Sequence, residues 1–257
     1  VSDFFSIEHP IRFAHRGGRR LFPENTMYAF AKAIEDLGYH YIELDVRMSA
    51  DRVPVIFHDP TLERTTDGTG AVADRTLAEL RELDAAHNFR PDVEYPLRGG
   101  GRSVPTLDEV FRAWPDLRIN IDLKVDDAEW AVAEVIRAND AEHRSLLGSF
   151  SNRRINKFRR ITGGTVATSA GPFGAVQMYL ASRLGMAPRS PVQAYQVTEQ
   201  YTGVSVDSRL VRSVHRVGAQ LHVWTVNEAG DMRRLLGLGV DGIMTDRPDL
   251  LNEVMDE

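Results

Sequence analysis

"IELDVRMSADRVPVIFHDP", residues 42–60, reads as two apolar strands joined by the polar turn "SADR". The turn decides how the strands pair. Parallel neighbours need a crossover of about a dozen residues, whereas a turn this short joins antiparallel strands. Residues 53–59 are therefore a hairpin return and not a stave of the main sheet. The same stretch sets Glu43, Asp45 and His58 among Ile, Leu, Val and Phe. Burying unpaired carboxylates is costly, so their place in an apolar strand asks for a cation. Glu43 and Asp45 point to one side of their strand. With Met48 opposite Val53, Glu43 faces His58 and Asp45 faces Ile56, which gathers two carboxylates and an imidazole on one face.

Outside the hairpin, strand and helix signals alternate. Strands are predicted at 11–15, 41–46, 117–123, 145–150, 165–169, 192–197, 220–226 and 241–245. Between them the apolar spacing predicts helices at 25–38, 127–139, 152–161, 208–218, 228–239 and 247–255. Asn25 is placed as the first N-cap and Gly38 as the stop of that helix. Eight strand–helix units imply a single-domain (β/α)8 TIM barrel over 1–257, with an antiparallel hairpin and a small insertion after strand 2. A length of 257 residues suits such a barrel. A doubly wound open sheet is the competing architecture, and no glycine-rich nucleotide fingerprint follows the first strand to favour it. The insertion, at about 59–105, holds a short helix over 76–86 and a run rich in Pro, Gly and Arg. It falls on the face where barrel enzymes keep their sites.

Composition narrows the function. The chain has no Cys, so disulfides and thiolate metal sites are excluded. A net charge of −6 argues against a general nucleic-acid binder. No apolar run is long enough to span a bilayer, and the N-terminal residues lack the basic-then-apolar pattern of a signal peptide. A cytoplasmic location is expected, although a first residue of Val leaves room for a removed export signal. The oligomeric state is left open.

Other strand ends repeat the polar pattern. The first strand ends in His15-Arg16, and the third holds Asp122 and Lys124 on one side. Lysine occurs otherwise only at 32 and 157, so a Lys ending a core strand suggests a task. The seventh strand contributes Trp224, and the eighth ends in Thr245-Asp246. Glu43, Asp45 and Asp122 are candidate oxygen ligands, His15 and His58 a candidate acid–base pair, and Arg16 and Lys124 candidate anion clamps. Three carboxylates without Cys suit a hard cation, Mg²⁺ or Ca²⁺. Together with two bases and two cationic side chains they suit phosphoryl-ester chemistry.

The blocks "AHRGGRRLFPENT", "IELDV", "FHDPTLERTTDGTG", "VPTLDEV", "NIDLK", "VWTVN" and "DGIMTDRPD" resemble, in order, those of the glycerophosphodiester phosphodiesterase family. The resemblance runs from about residue 11 to 250. It implies a barrel enzyme that hydrolyses small glycerophosphodiesters to glycerol 3-phosphate and an alcohol, using one divalent cation, Mg²⁺, Ca²⁺ or Mn²⁺. It implies His15 and His58 as the catalytic pair and Glu43, Asp45 and Asp122 as metal ligands. Arg16 and Lys124 then contact phosphate, Glu24 orients Arg16 or its neighbours, and Trp224 walls the substrate pocket. One departure stands out. The family pattern has Glu where this chain has Asp122, one methylene shorter.

Each of these residues also has a structural reading. Asp122 and Lys124 could form a plain ion pair, Glu24 could favour a helix N-terminus, and Trp224 could be core. The basic run at 153–160 reads as a solvated helix face. The stretch "PFGAVQMYLASRLGM" (172–186) carries Phe173, Val176, Met178, Tyr179, Leu180, Leu184 and Met186. It reads chiefly as packing against the barrel, or else as a surface for an acyl chain or a transient membrane contact. The latter would make the enzyme a lysophospholipase D. A non-catalytic phosphodiester-binding barrel is the reading from a different class.

Overall fold

The computed structural model describes residues 3–199 and 206–257. Eight strands run parallel: β1 (Ile11–His15), β2 (Tyr41–Met48), β4 (Arg118–Leu123), β5 (Ser145–Gly148), β6 (Ala167–Thr168), β7 (Ala194–Thr198), β8 (Gln220–Trp224) and β9 (Gly242–Thr245). Their spatial order is β6-β5-β4-β2-β1-β9-β8-β7. A parallel bridge from Ser169 to Ala194 ties the two ends together, so the sheet is a nearly closed barrel. Helices α1 (Met27–Ala31), α2 (Leu77–Arg81), α3 (Leu107–Ala113), α4 (Glu129–Ala138), α5 (Asn152–Ile161), α6 (Pro172–Arg183), α7 (Ser208–Arg216) and α8 (Ala229–Leu238) lie between the strands in sequence, and α9 (Pro248–Met255) follows the last one.

Strand β2 shows how the alternation works. Ile42, Leu44 and Val46 belong to the apolar layer shared with Phe111, Val132 and Ile136 of the helices. Tyr41, Glu43 and Asp45 take the other face, which is the barrel interior. Tyr41 packs there with Phe13 and with Phe4, from the short 3-10 turn Asp3–Phe5. These aromatics fill the N-terminal end of the barrel. The buried His222 ring packs against Phe13 and Phe5 in the same layer, and the carboxylates begin above it at Glu43.

The hairpin strand β3 (Pro54–Ile56) pairs antiparallel with β2, but in a register one residue away from the sequence expectation. Met48 pairs with Pro54, not Val53, and Val46 pairs with Ile56. The cause is the Ser49 side chain. Its Oγ accepts the Val53 N–H at 2.9 Å while the Ser49 N–H donates to the Val53 carbonyl, which closes a five-residue turn. His58 therefore does not stand opposite Glu43. It reaches the site because the chain leaves β3 after Ile56, with the Phe57 N–H donating to the Asp45 carbonyl at 2.9 Å.

A second local correction concerns the first helix. Thr26, not Asn25, is the N-cap, its Oγ1 accepting the Ala29 N–H at 3.1 Å. Asn25 instead takes a left-handed conformation (φ 57°) and turns its side chain inward. Residues 57–105 form a small satellite in which Phe57, Leu62, Val72, Leu80, Ala85 and Val104 pack with Val55. A Thr76–Glu79 capping box starts α2 within it. Among the described residues, no helix is long and apolar enough to cross a membrane.

Candidate active site

Parallel register assembles the centre. Glu43 on β2 stands beside His15 on β1 and Asn120 on β4, and Asp45 stands beside Asp122. One oxygen from each of Glu43, Asp45 and Asp122 lies within 4.8 Å of the others. Lys124 Nζ sits 2.6 Å from Asp122 Oδ2 and 2.9 Å from Asp45 Oδ1. Arg16 Nε lies 3.0 Å from Asp45 Oδ2, and the Asn25 amide donates to the same oxygen at 2.8 Å. Arg16 Nη1 also donates to Glu24 Oε1 at 2.9 Å.

The turn "HRGG" aims Arg16. Arg16 itself is left-handed (φ 52°), and its N–H donates to the Glu43 carbonyl. Gly17 follows at φ +82°, where a Cβ would stand 2.7 Å from Ala29 Cβ. Only glycine meets both demands. Gly18, at φ +91°, would likewise press a Cβ onto Pro248 at 2.7 Å. The two glycines let the loop fold flat against α1 and α9, so Arg16 projects over the carboxylates.

Both histidines are held in the same way. His15 Nδ1 lies 2.5 Å from Asp246 Oδ1, and His58 Nδ1 lies 2.5 Å from Asp59 Oδ1. A carboxylate at Nδ1 fixes the ring and leaves Nε2 as the working nitrogen. His15 Nε2 faces Glu43 Oε2 at 3.7 Å. Asp246 is fully buried and also takes Arg19 Nε at 2.9 Å.

The charges sort the carboxylates. Burial, followed by the neighbouring Asp45 charge, pushes Glu43 up to about 7. Burial also penalises Asp45, but Arg16, Lys124 and His58 outweigh it and hold Asp45 at about 2. Burial likewise opposes ionisation of Asp246, and the His15 hydrogen bond and charge, with Arg19, overcome it to hold the group at about 2. Burial lowers His58 below the ordinary histidine value, against the pull of Asp45. The result is a centre with one firmly anionic carboxylate and a second that ionises fully when a cation arrives.

A profile of the "Glycerophosphoryl diester phosphodiesterase family" matches residues 15–250, which contain every one of these groups. The chain belongs to this family. Among similar proteins is a Mycobacterium tuberculosis chain named "Probable glycerophosphodiester phosphodiesterase 2", 40% identical and covering 95% of this chain and 90% of its own length. A glycerophosphodiester phosphodiesterase of Caldanaerobacter subterraneus is 32% identical, over 93% of this chain and 94% of its own. Among solved structures, an Oleispira antarctica phosphodiesterase "in complex with the product sn-glycerol-3-phosphate" superposes with a TM-score of 0.79. It is 25% identical and covers 97% of this chain and 98% of its own.

The donor set of this glycerophosphoryl diester phosphodiesterase family member fits a hard divalent cation. It is all carboxylate oxygen, and Asp122 Oδ1 is buried without a hydrogen-bond partner among the described residues. Of the sequence candidates, His15, Arg16, Glu24, Glu43, Asp45, His58, Asp122 and Lys124 all converge here. Trp224 stands apart from the carboxylates at the end of β8, edge-on to Phe150 with ring centroids 5.5 Å apart. Lys124 Nζ lies 5.6 Å over the Phe150 ring, which links this aromatic pair to the centre. Two groups escaped the sequence reading, Asn25 as a site residue and Phe150. Asp59 follows His58 directly, and their contact is the local pairing that the sequence suggests. Asp246 is legible as a polar group at a strand end, but nothing local says that it holds His15.

Proposed function

We propose that this family member hydrolyses glycerophosphodiesters to glycerol 3-phosphate and an alcohol, with His15 and His58 as the acid–base pair. The supporting observation is the duplicated arrangement. Two imidazoles, each oriented at Nδ1 by a carboxylate, flank one carboxylate cluster. Glu43, Asp45 and Asp122 are the residues that would hold Mg²⁺, Ca²⁺ or Mn²⁺. Such a cation, when bound, supplies positive charge that offsets the charge growing on the phosphoryl oxygens. Arg16 and Lys124 add two further cations at the same place, held in position beforehand by Glu24, Asp45 and Asp122. One histidine Nε2 takes the proton of the attacking hydroxyl or water, and the other returns a proton to the leaving alcohol. Asp246 and Asp59 hold the two rings in the productive tautomer. Trp224 and Phe150 wall the substrate on the β5–β8 side.

The test is release of glycerol 3-phosphate from glycerophosphocholine by metal-stripped protein, with Mg²⁺, Ca²⁺ or Mn²⁺ restored singly. Turnover with at least one ion is expected. No turnover with any of them rejects this reading.

A second reading, a lysophospholipase D, is favoured by α6. Phe173, Val176 and Leu180 on α6, and Leu184 and Met186 just past its end, are all exposed, although Met178 is buried and packs inward. Lysophosphatidylcholine hydrolysed faster than glycerophosphocholine would select it.

A further inference from the structure

Beside the centre lies a cleft of about 370 Å³ whose polar rim is dominated by arginine: Arg19, Arg20, Arg64 and Arg90. Its volume falls within the range of small-ligand sites, roughly 300–1,000 Å³. It shares Glu24, Arg64, Thr65 and Ala85 with the narrow recess that touches His58. Glu24, which holds Arg16 in the centre, is thus also part of the cleft wall.

The four guanidinium groups are not equally engaged. Arg64 is saturated, with its nitrogens bonded to Glu24 and Asp59, and acts as a fixed wall. Arg19 commits only Nε, to Asp246, and both terminal nitrogens are unbonded among the described residues. Arg20 has only a 3.6 Å contact with the exposed Glu228. Arg90 uses Nε and Nη2 on Asp92 and keeps Nη1 free among the described residues. Three arginines thus retain donors on a half-exposed rim, the geometry that suits phosphate oxygens.

We propose that the cleft receives the alcohol half of the diester and selects alcohols bearing a second anionic group, above all a phosphate. This rests on the hydrolytic reading above. The glycerol half of such substrates is constant and uncharged, so it gives an arginine rim nothing to recognise. The alcohol is the half whose charge varies. A second phosphate would meet Arg19, Arg20 and Arg90 together, whereas a choline cation would meet like charge.

The experiment compares glycerophosphoglycerol with glycerophosphoglycerol phosphate, in which a phosphomonoester replaces the terminal hydroxyl. Wild type should show about tenfold higher kcat/KM on the phosphorylated diester, carried by KM and shrinking with added NaCl. The double variant Arg20→Gln, Arg90→Gln should lose that preference and keep its activity on glycerophosphoglycerol. Equal kcat/KM for the two diesters in wild type, or a variant that loses both activities alike, overturns the proposal. Calorimetric titration of the metal-free protein with the same two diesters separates this idea from the hydrolytic reading. If neither diester is hydrolysed, the hydrolytic reading falls, and the titration still decides the cleft. Tighter binding of the phosphorylated diester, lost in the variant, sustains it, and equal binding rejects it.

Discussion

Asp246 Oδ1 and His15 Nδ1 lie 2.5 Å apart across 231 residues of sequence, so the last strand of the barrel holds the histidine of the first. The contact fixes the ring so that His15 Nε2 faces Glu43. Asp246→Asn keeps the shape and removes the charge. It should lower kcat by about 10²-fold or more with KM little changed. Steady-state kinetics on glycerophosphocholine, with circular dichroism as the folding control, checks this. An unchanged kcat would mean that Asp246 serves only to anchor Arg19 and Asn227, whose side-chain amide donates to Asp246 Oδ2 at 3.0 Å.

His58→Ala should cost about 10²-fold or more in kcat while divalent-ion binding is largely kept. Asp59→Asn should cost less than Asp246→Asn, because Asp59 is partly exposed and solvent screens it. Reversal of that order would show that His58 depends on its carboxylate more than His15 does.

Glu43 gives a pH signature in the metal-free protein. Its carboxyl sits at about 7 in the folded state against an ordinary 4.5, so the folded protein binds that proton more tightly. Its contribution to stability is full below pH 4.5 and lost as pH rises through 7. Asp45 and Asp246, both at about 2 against 3.8, contribute fully above pH 3.8 and lose that only toward pH 2. The windows are separate. Urea midpoints for wild type and Glu43→Gln should therefore diverge between pH 4.5 and 7, the variant gaining relative to wild type as pH rises. Parallel curves would show that Glu43 is ionised throughout. A saturating divalent ion should abolish the wild-type loss, because it stabilises the anion.

Gly17→Ala should destabilise the fold by about 2 kcal/mol or more, since it adds a left-handed alanine and a 2.7 Å contact with Ala29. It should also raise KM by displacing Arg16. Urea denaturation and kinetics on one preparation test both, and a stable variant with normal KM would show that the loop relaxes without moving Arg16.

The repeat of strands and helices, the short "SADR" turn and the side-by-side placement of Glu43 and Asp45 were all readable from local pattern. Each follows from periods of two or four residues, which act within one element. The family blocks, each a few residues long, were legible for the same reason. The tertiary structure alone decided the rest. It slipped the hairpin by one residue through the Ser49 side chain, and it delivered His58 by a chain path that leaves β3 rather than by cross-strand pairing. It turned Asn25 from a helix cap into a partner of Asp45, paired His15 with Asp246, and built the arginine cleft from the loop after β1 and the satellite after β3. These outcomes depend on register and on contacts between residues far apart in the chain. Such contacts are set by how the nearly closed barrel packs as a whole, which no window of sequence contains.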